Sequence, residues 1–261
     1  MNFDKYFGEL PYGFCSFDKV RDRLLPVRSR AQLPQNAQSI ISILFPYYLG
    51  EELYQSSNIS RYAVPEDYHR VAGDMLREFC SQLSADFPQN KFVPFIDSSP
   101  LPEVFCAISA GTGVMGKNGL LINKTYGSYC FIGEIVTDLP LEQSEALGTS
   151  CLDCGLCEEL CPTGALKQGR VAYDNCLSAI TQKKGELSDE EASLIRATGC
   201  IWGCDICQTS CPMNRDIKTT PIKRFFDTAN AVLTETTDLS DRALAWRGRA
   251  VIDRNLELMK G

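Results

Sequence analysis

Residues 151–162 read CLDCGLCEELCP, and residues 204–212 read CDICQTSCP. In the first run, two-residue gaps let Cys151, Cys154 and Cys157 converge on three irons of one cubane. Cys161 points away to a second cluster, and Pro162 turns the chain. This is the CxxCxxCxxxCP run of bacterial two-cluster ferredoxins. The second run supplies CxxCxxxCP and needs one more ligand from elsewhere. If ligation crosses as in a ferredoxin, Cys211 completes the first set and Cys161 joins Cys204 and Cys207. The missing cysteine would then lie three residues before the CxxC pair, where this chain has Ile201. Cys176, in YDNCLSAI, and Cys200, in ATGCIWGC, are the two candidates. Zinc held by four thiolates also uses CxxC pairs, but zinc ribbons pair two such knuckles and have no use for the CxxxCP offset.

Eight of thirteen cysteines are thereby assigned to two 4Fe-4S clusters, which makes the chain an electron-transferring redox protein. Cys15, Cys80, Cys106 and Cys130 stand singly on apolar segments, where a cysteine usually acts as a small core residue. With 261 residues the chain can bury a core without covalent staples, so stability does not demand its cysteines. Its N-terminus, MNFDKYFGELPYGF, has neither a basic leader nor a small-residue cleavage site, and a cytoplasmic location is expected. A reducing compartment favours metal ligation over disulfides. No stretch reaches the apolar length of a membrane span, so no membrane partner is expected. The net charge of −7 argues against a broadly basic surface for nucleic acid.

Upstream of the cysteine runs the pattern is α+β. Residues 39–48, SIISILFPYY, form an apolar run rich in β-branched and aromatic residues, closed by Pro46, and read as a buried strand. From Glu66 to Leu83 apolar residues recur at helical spacing, and Pro88 lies beyond as a stop. KFVPFI at 91–96 and SYCFIGEIVT at 128–137 read as strands, and Leu101–Ala110 as a helix opened by prolines. In GTGVMGKNGLL, residues 111–121, four glycines allow close backbone approach to a ligand, although the spacing matches neither a Walker A loop nor GxGxxG. A polar stretch from Leu139 to Thr149 marks a boundary. The expected division is a mixed α/β domain over 1–147, a ferredoxin-like two-cluster domain over 148–218 and a helical tail over 219–261.

A ferredoxin alone needs roughly sixty residues, so the preceding domain should hold what the electrons are delivered to. His69 is the only histidine, which makes a Ser-His-Asp hydrolase improbable. A lone helical histidine is more often capped or solvated than catalytic. Asp97 follows a strand and precedes SSP, a place where a carboxylate can face a pocket, yet Asp is equally common in turns and N-caps. Arg61, Tyr62, Lys117, Asn118, Leu120, Asn123 and Tyr126 lie in segments that read as loops.

Taken in order, SIISILFPYY, ISRYAVPEDYHRV, FIDSSPLPEVFCAISAGTGVMGKNGLLINKTYGSYCFIGEI, CLDCGLCEELCPTGAL, CLSAITQKKG and GCDICQTSCPMN resemble the epoxyqueuosine reductase family over roughly residues 36–216. The resemblance implies an N-terminal domain that cradles base-off cobalamin, whose cobalt is reduced by the adjacent clusters and reduces the epoxide. It assigns Cys151, Cys154, Cys157 and Cys211 to one cluster, and Cys161, Cys176, Cys204 and Cys207 to the other, leaving Cys200 outside. It makes Asp97, in FIDSSP, the catalytic proton donor. The corrin contacts it implies are Arg61, Tyr62, Lys117, Asn118, Leu120, Asn123 and Tyr126. A carboxyl held in an apolar pocket would have a raised pKa, which suits an acid working near neutrality.

Familiar members continue with a C-terminal helical-repeat domain that helps hold transfer RNA, and this chain is expected to be a short member without it. The family's GLGWxGKN stands here as GTGVMGKN, and its CPWN as CPMN. The expected substrate is therefore a small molecule or nucleoside, with transfer RNA left open, and the expected electron donor is a flavodoxin or ferredoxin. Two other readings are an electron-transfer protein that reduces a partner's corrinoid, and a reductive dehalogenase relative.

Overall fold

The computed structural model describes residues 3–148 and 150–260, so the boundaries placed at Met1, Thr149 and Gly261 lie outside the described residues. The chain divides into two compact units, neither contiguous in sequence. The first comprises Met1–Pro46, Tyr68–Met115 and Leu120–Cys151. The second comprises Tyr47–Asp67, Gly116–Gly119 and Leu152–Gly261.

The first unit is built on a four-stranded antiparallel sheet in the order β1-β2-β6-β3, from Tyr12–Ser16 (β1), Ser39–Pro46 (β2), Phe92–Ile96 (β3) and Cys130–Thr137 (β6). A two-stranded ribbon, Val114–Met115 (β4) with Leu121–Ile122 (β5), lies between β3 and β6 in sequence. Every residue of β2 is buried. That accounts for its unbroken apolar run, because a strand covered on both faces has no polar side to alternate with.

The register sorts the two faces. Cys15 opposes Ile40, Ile40 opposes Val136, and Ser42 and Phe95 both oppose Glu134, so these side chains share one face. Cys106 of the Glu103–Ser109 helix and Ala110, which caps it, pack there with Ile40, Phe95 and Val136. The Tyr68–Asp86 helix covers the opposite face. A Cβ on Gly133 would meet Phe45 at 2.6 Å and Leu76 of that helix at 2.9 Å, which explains glycine mid-strand.

In the second unit, residues 47–67 are held by backbone pairing that no local pattern announces. Ile59 and Trp202 form a parallel bridge. Ser60 N–H donates to Trp202 O at 2.8 Å, Ile201 N–H to Asn58 O at 2.8 Å, and Thr220 N–H to Tyr48 O at 2.7 Å. The tail is part of the same unit. Asn255, fully buried in the Arg249–Leu258 helix, donates to Thr181 O at 2.7 Å and Ile201 O at 2.8 Å. The contiguous division 1–147, 148–218 and 219–261 thus differs from the grouping of contacts, because the ties that join 47–67 and the tail to the cysteine segment are long-range.

Candidate functional site

In the first unit, β3 ends at Ile96 and the chain enters a turn with two successive non-glycine residues at positive φ, Asp97 at 47° and Ser98 at 25°. Such backbone costs of order 1–3 kcal/mol per residue and persists where its surroundings over-determine it. Here Ser29 Oγ donates to Ser98 O at 2.6 Å, Leu25 N–H to Pro100 O at 2.8 Å, and Ser99 Oγ to Glu134 Oε2 at 2.8 Å. Asp97 Oδ2 lies 2.9 Å from His69 Nε2 and accepts from Tyr68 OH at 3.2 Å. The Tyr68 ring is stacked between His69 and Phe131, with centroids 4.1 and 4.0 Å away.

The electrostatics of Asp97 differ from those expected of an acid in an apolar pocket. Its side chain is 54% exposed. The hydrogen bond from His69 lowers its pKa to about 2, against a smaller opposing effect of burial. Beside it, burial first and then the charges of Glu134 and Asp97 push Glu103 up to about 8. Burial pushes Glu134, at 0% exposure, up to about 7. Tyr68, His69, Glu103 and Glu134 were not assigned roles from sequence. An acid in the middle of the strand CFIGEIVT, and a histidine beside a tyrosine at a helix start, were the signals available.

Two of the glycines in residues 111–121 serve the chain's own packing. A Cβ on Gly111, at φ +71°, would meet Glu145 O at 2.2 Å, and one on Gly113 would meet Ile122 O at 2.8 Å. Asn123 clasps its own loop. Its Nδ2 donates to Thr112 O at 2.7 Å, and its Oδ1 accepts from the amides of Thr125 and Tyr126. Tyr126 is buried and Leu120 half-buried.

In the second unit, Arg61 is buried, donates to both oxygens of Glu51 at 2.7 and 2.9 Å, and lies over the Tyr54 ring. Tyr62 OH accepts from Trp202 Nε1 at 2.7 Å. Lys117 Nζ pairs with Asp153 at 2.7 Å and reaches Glu158 at 3.6 Å. Asn118 Nδ2 donates to Cys207 O at 3.4 Å.

The two cysteine runs adopt matching local structure. A one-turn helix, Leu156–Glu159, stands between Cys154 and Cys161, and another, Ile206–Thr209, between Cys204 and Cys211. Burial first, and then the charges of Asp205, Cys176 and Cys161, push the Cys204 thiol up to about 11, and burial followed by Cys204, Asp205, Cys176 and Cys157 pushes Cys207 up to about 12. Burial raises the Cys161 thiol, but hydrogen bonds from the Leu166, Thr163 and Ala165 amides and the Thr163 hydroxyl outweigh it, and the net shift is downward. Such amides stabilise a thiolate. Cys200 is engaged elsewhere, its Sγ donating to Trp202 O at 3.2 Å and Gly203 O at 3.4 Å. Cys151 is the last residue of the first unit. Among the described residues no three His, Cys, Asp or Glu side chains converge on a single-ion site.

The curated epoxyqueuosine reductase of Lactococcus garvieae is 35% identical over 241 residues, covering 85% of this chain and 68% of that one. This chain belongs to the epoxyqueuosine reductase family. It is an oxidoreductase by that membership. Residues 28–98 match the family profile described as epoxyqueuosine reductase QueG, DUF1730, and residues 150–214 match a 4Fe-4S double cluster binding domain. Among solved structures, the epoxyqueuosine reductase of Streptococcus thermophilus aligns with TM-score 0.79 at 29% identity, over 98% of this chain and 78% of that one. An epoxyqueuosine reductase with an epoxyqueuosine-modified tRNA stem loop aligns with TM-score 0.78 at 26% identity, over 95% and 76%. That of Bacillus subtilis, solved with its aspartate catalytic loop swung out of the active site, aligns with TM-score 0.77 at 25% identity, over 95% and 76%.

Proposed function

We propose that this epoxyqueuosine reductase family member reduces the epoxide of epoxyqueuosine in tRNA, with electrons relayed through two 4Fe-4S clusters to cobalamin and with Asp97 delivering protons to the departing oxygen. The observation that carries the reading is the strained turn at Asp97. It presents a half-exposed carboxylate already hydrogen-bonded to the chain's only histidine. The aspartate catalytic loop of the Bacillus subtilis relative supports the same role.

Cys151, Cys154, Cys157 and Cys211 are proposed for one cluster, and Cys161, Cys176, Cys204 and Cys207 for the other. The nearness of Cys176 to both Cys204 and Cys207 supports its inclusion, and the carbonyl partners of Cys200 support leaving that residue out.

Bound cobalamin would supply a cobalt centre reducing enough to carry the electrons to the epoxide. The residues assigned to it offer few free donors. The polar atoms of Arg61, Tyr62, Lys117 and Asn123 are already committed to protein partners, so these residues, with Asn118, Leu120 and Tyr126, would meet a corrin by backbone and side-chain faces. His69 is engaged by Asp97. His69 and Tyr68 orient the Asp97 carboxyl, and the backbone ties of Ser29, Leu25 and Ser99 keep the turn in place.

The modified stem loop bound by the relative turns the substrate expectation from a free nucleoside towards tRNA. Among the described residues no helix is long and apolar enough to cross a membrane, and the reading takes the cytoplasm as location and a flavodoxin or ferredoxin as donor. Anaerobic reconstitution with iron, sulfide and cobalamin, followed by turnover of epoxyqueuosine in tRNA against the free nucleoside, tests the proposal. Failure to retain corrinoid removes the cobalamin part. Retention without epoxide turnover favours a corrinoid-reducing role.

A further inference from the structure

The negative total of the chain conceals one strongly basic stretch. Residues 19–30, KVRDRLLPVRSR, hold five cations, Lys19, Arg21, Arg23, Arg28 and Arg30, and a single acid. From Arg21 to Gln32 every residue is exposed except Leu24 and Ser29, which are half-buried. The stretch is nevertheless pinned. Leu24 and Leu33 pack against the core cluster that contains Cys15, Phe95 and Cys106, and the Arg23 guanidinium lies 4.7 Å from the centroid of the Phe105 ring. Two hydrogen bonds then fasten it to the turn that carries Asp97. Leu25 N–H donates to Pro100 O at 2.8 Å, and Ser29 Oγ to Ser98 O at 2.6 Å. Arg28 and Arg30 flank Ser29, so each stands one residue from a direct bond to the neighbour of Asp97. Arg21 is paired with Asp18 at 2.7 Å, but Arg28 and Arg30 have no acidic partner among the described residues. A run of charges is most often a solvated face, yet a solvated face needs no ties to such a turn.

We propose that residues 19–30 form a docking strap for the phosphate backbone of the RNA substrate, with Arg28 and Arg30 meeting phosphates beside the nucleoside presented to Asp97. The proposal rests on the reading of tRNA as substrate. A nucleoside inside a strand arrives with a phosphate on each side, and bringing those charges against a carboxylate in a chain of net charge −7 is repulsive. Cations fastened to the turn offset that repulsion where it is greatest. Arginine suits the task, because its planar fork of donors matches phosphate oxygens in pairs. The ties to Pro100 and Ser98 hold the strap before RNA arrives, so less ordering is lost on binding. Phosphate contacts carry no sequence information, but they fix the register of a strand. The strap therefore sets where the strand lies and leaves the choice of nucleoside to the pocket. An acidic electron donor would also be drawn to arginines, yet its electrons are needed at the clusters, and the strap is bonded to the Asp97 turn.

A labelled, unmodified tRNA stem loop, titrated with the full reconstituted chain at several salt concentrations and read by fluorescence anisotropy, tests the strap without turnover. Each phosphate contact adds roughly 0.7–0.9 to the slope of log affinity against log salt. Arg28→Gln/Arg30→Gln should weaken binding at least about tenfold at low salt and reduce that slope by about 1.5. Arg28→Lys/Arg30→Lys should keep most of the slope. Lys5→Gln/Arg77→Gln removes the same charge from exposed pairs with Asp86 and Asp74, and should leave both quantities near wild type. Equal losses in the two glutamine variants would reduce the effect to net charge and overturn the strap, as would an unchanged slope in Arg28→Gln/Arg30→Gln. If that variant instead slows reduction of the clusters by flavodoxin with RNA binding intact, the stretch docks the donor and the proposal falls. A wild-type chain with no salt-dependent affinity for the stem loop overturns the reading of tRNA as substrate itself.

Discussion

The cysteine segment and the Asp97 turn are assembled by opposite means. In the first, seven of the eight proposed ligands fall within two short runs, because a cubane dictates the spacing of the thiolates that wrap it. In the second, Leu25, Ser29, Tyr68, His69, Asp97, Glu103 and Glu134 are brought together from distant positions by sheet register and by two helices. A cluster ligand has no substitute, whereas the groups around the turn grade from the carboxylate itself to those that set its charge. The two regions should therefore fail differently when altered.

The largest effect belongs to the cysteines. Cys204→Ala and Cys176→Ala should each reduce bound iron from about eight to about four per chain and abolish electron delivery, read by iron assay and by turnover. A Cys176→Ala protein that keeps both clusters would remove Cys176 from the ligand set. Asp97→Asn comes next. It keeps the size of the side chain but cannot cycle a proton, so kcat should fall by roughly 10²–10⁴ with iron content intact. If activity survives, the turn is a structural feature and the comparison loses one side.

This asymmetry also governs what could be read in advance. The cluster ligands, the buried strand at residues 39–46 and the Tyr68–Asp86 helix were legible because each writes its constraint into local spacing, whether of thiolates, continuous apolar residues or a 3.6-residue stripe. Asp97 looked like any turn aspartate. Its partner His69 looked like a solvated helical residue, since nothing in a sequence says that a helix start and a strand end lie 2.9 Å apart. The same limit produced the opposite pKa for Asp97. Burial in an apolar pocket was the expected influence, but the imidazole across the turn dominates. The glycines of residues 111–121 were read as room for a ligand, when at Gly111 and Gly113 the close neighbours are carbonyls of the chain itself.

Glu134 sharpens the comparison through stability. Its carboxyl has an ordinary pKa of 4.5 and is pushed up to about 7 by burial, so between these values the folded state binds the proton that the unfolded state releases. Folding stability is then greatest below the unfolded value and declines as pH rises through the folded one, by roughly 3 kcal/mol for this group. Glu103 acts in the same direction. Glu134→Gln should flatten the profile, being more stable than wild type at pH 9 and close to it at pH 5 in denaturant titrations. A difference that does not grow with pH would mean the carboxylate finds a charge partner or water when ionised.

The smallest effect is the most discriminating for the cluster side. Cys200 lies within the cysteine-rich segment and four residues before Cys204, so by position it competes with Cys176. Its thiol, however, donates to Trp202 O and Gly203 O, two carbonyls of the turn that carries the Ile59–Trp202 bridge. A thiolate bound to iron has no proton to give to a carbonyl, so those contacts and ligation exclude one another. Cys200→Ala should leave about eight irons per chain and lose only weak S–H···O contacts and a little packing. That is about 1 kcal/mol, or a few degrees in Tm. Loss of four irons in this variant, with retention in Cys176→Ala, would exchange the two residues and move the eighth ligand to the start of the second run.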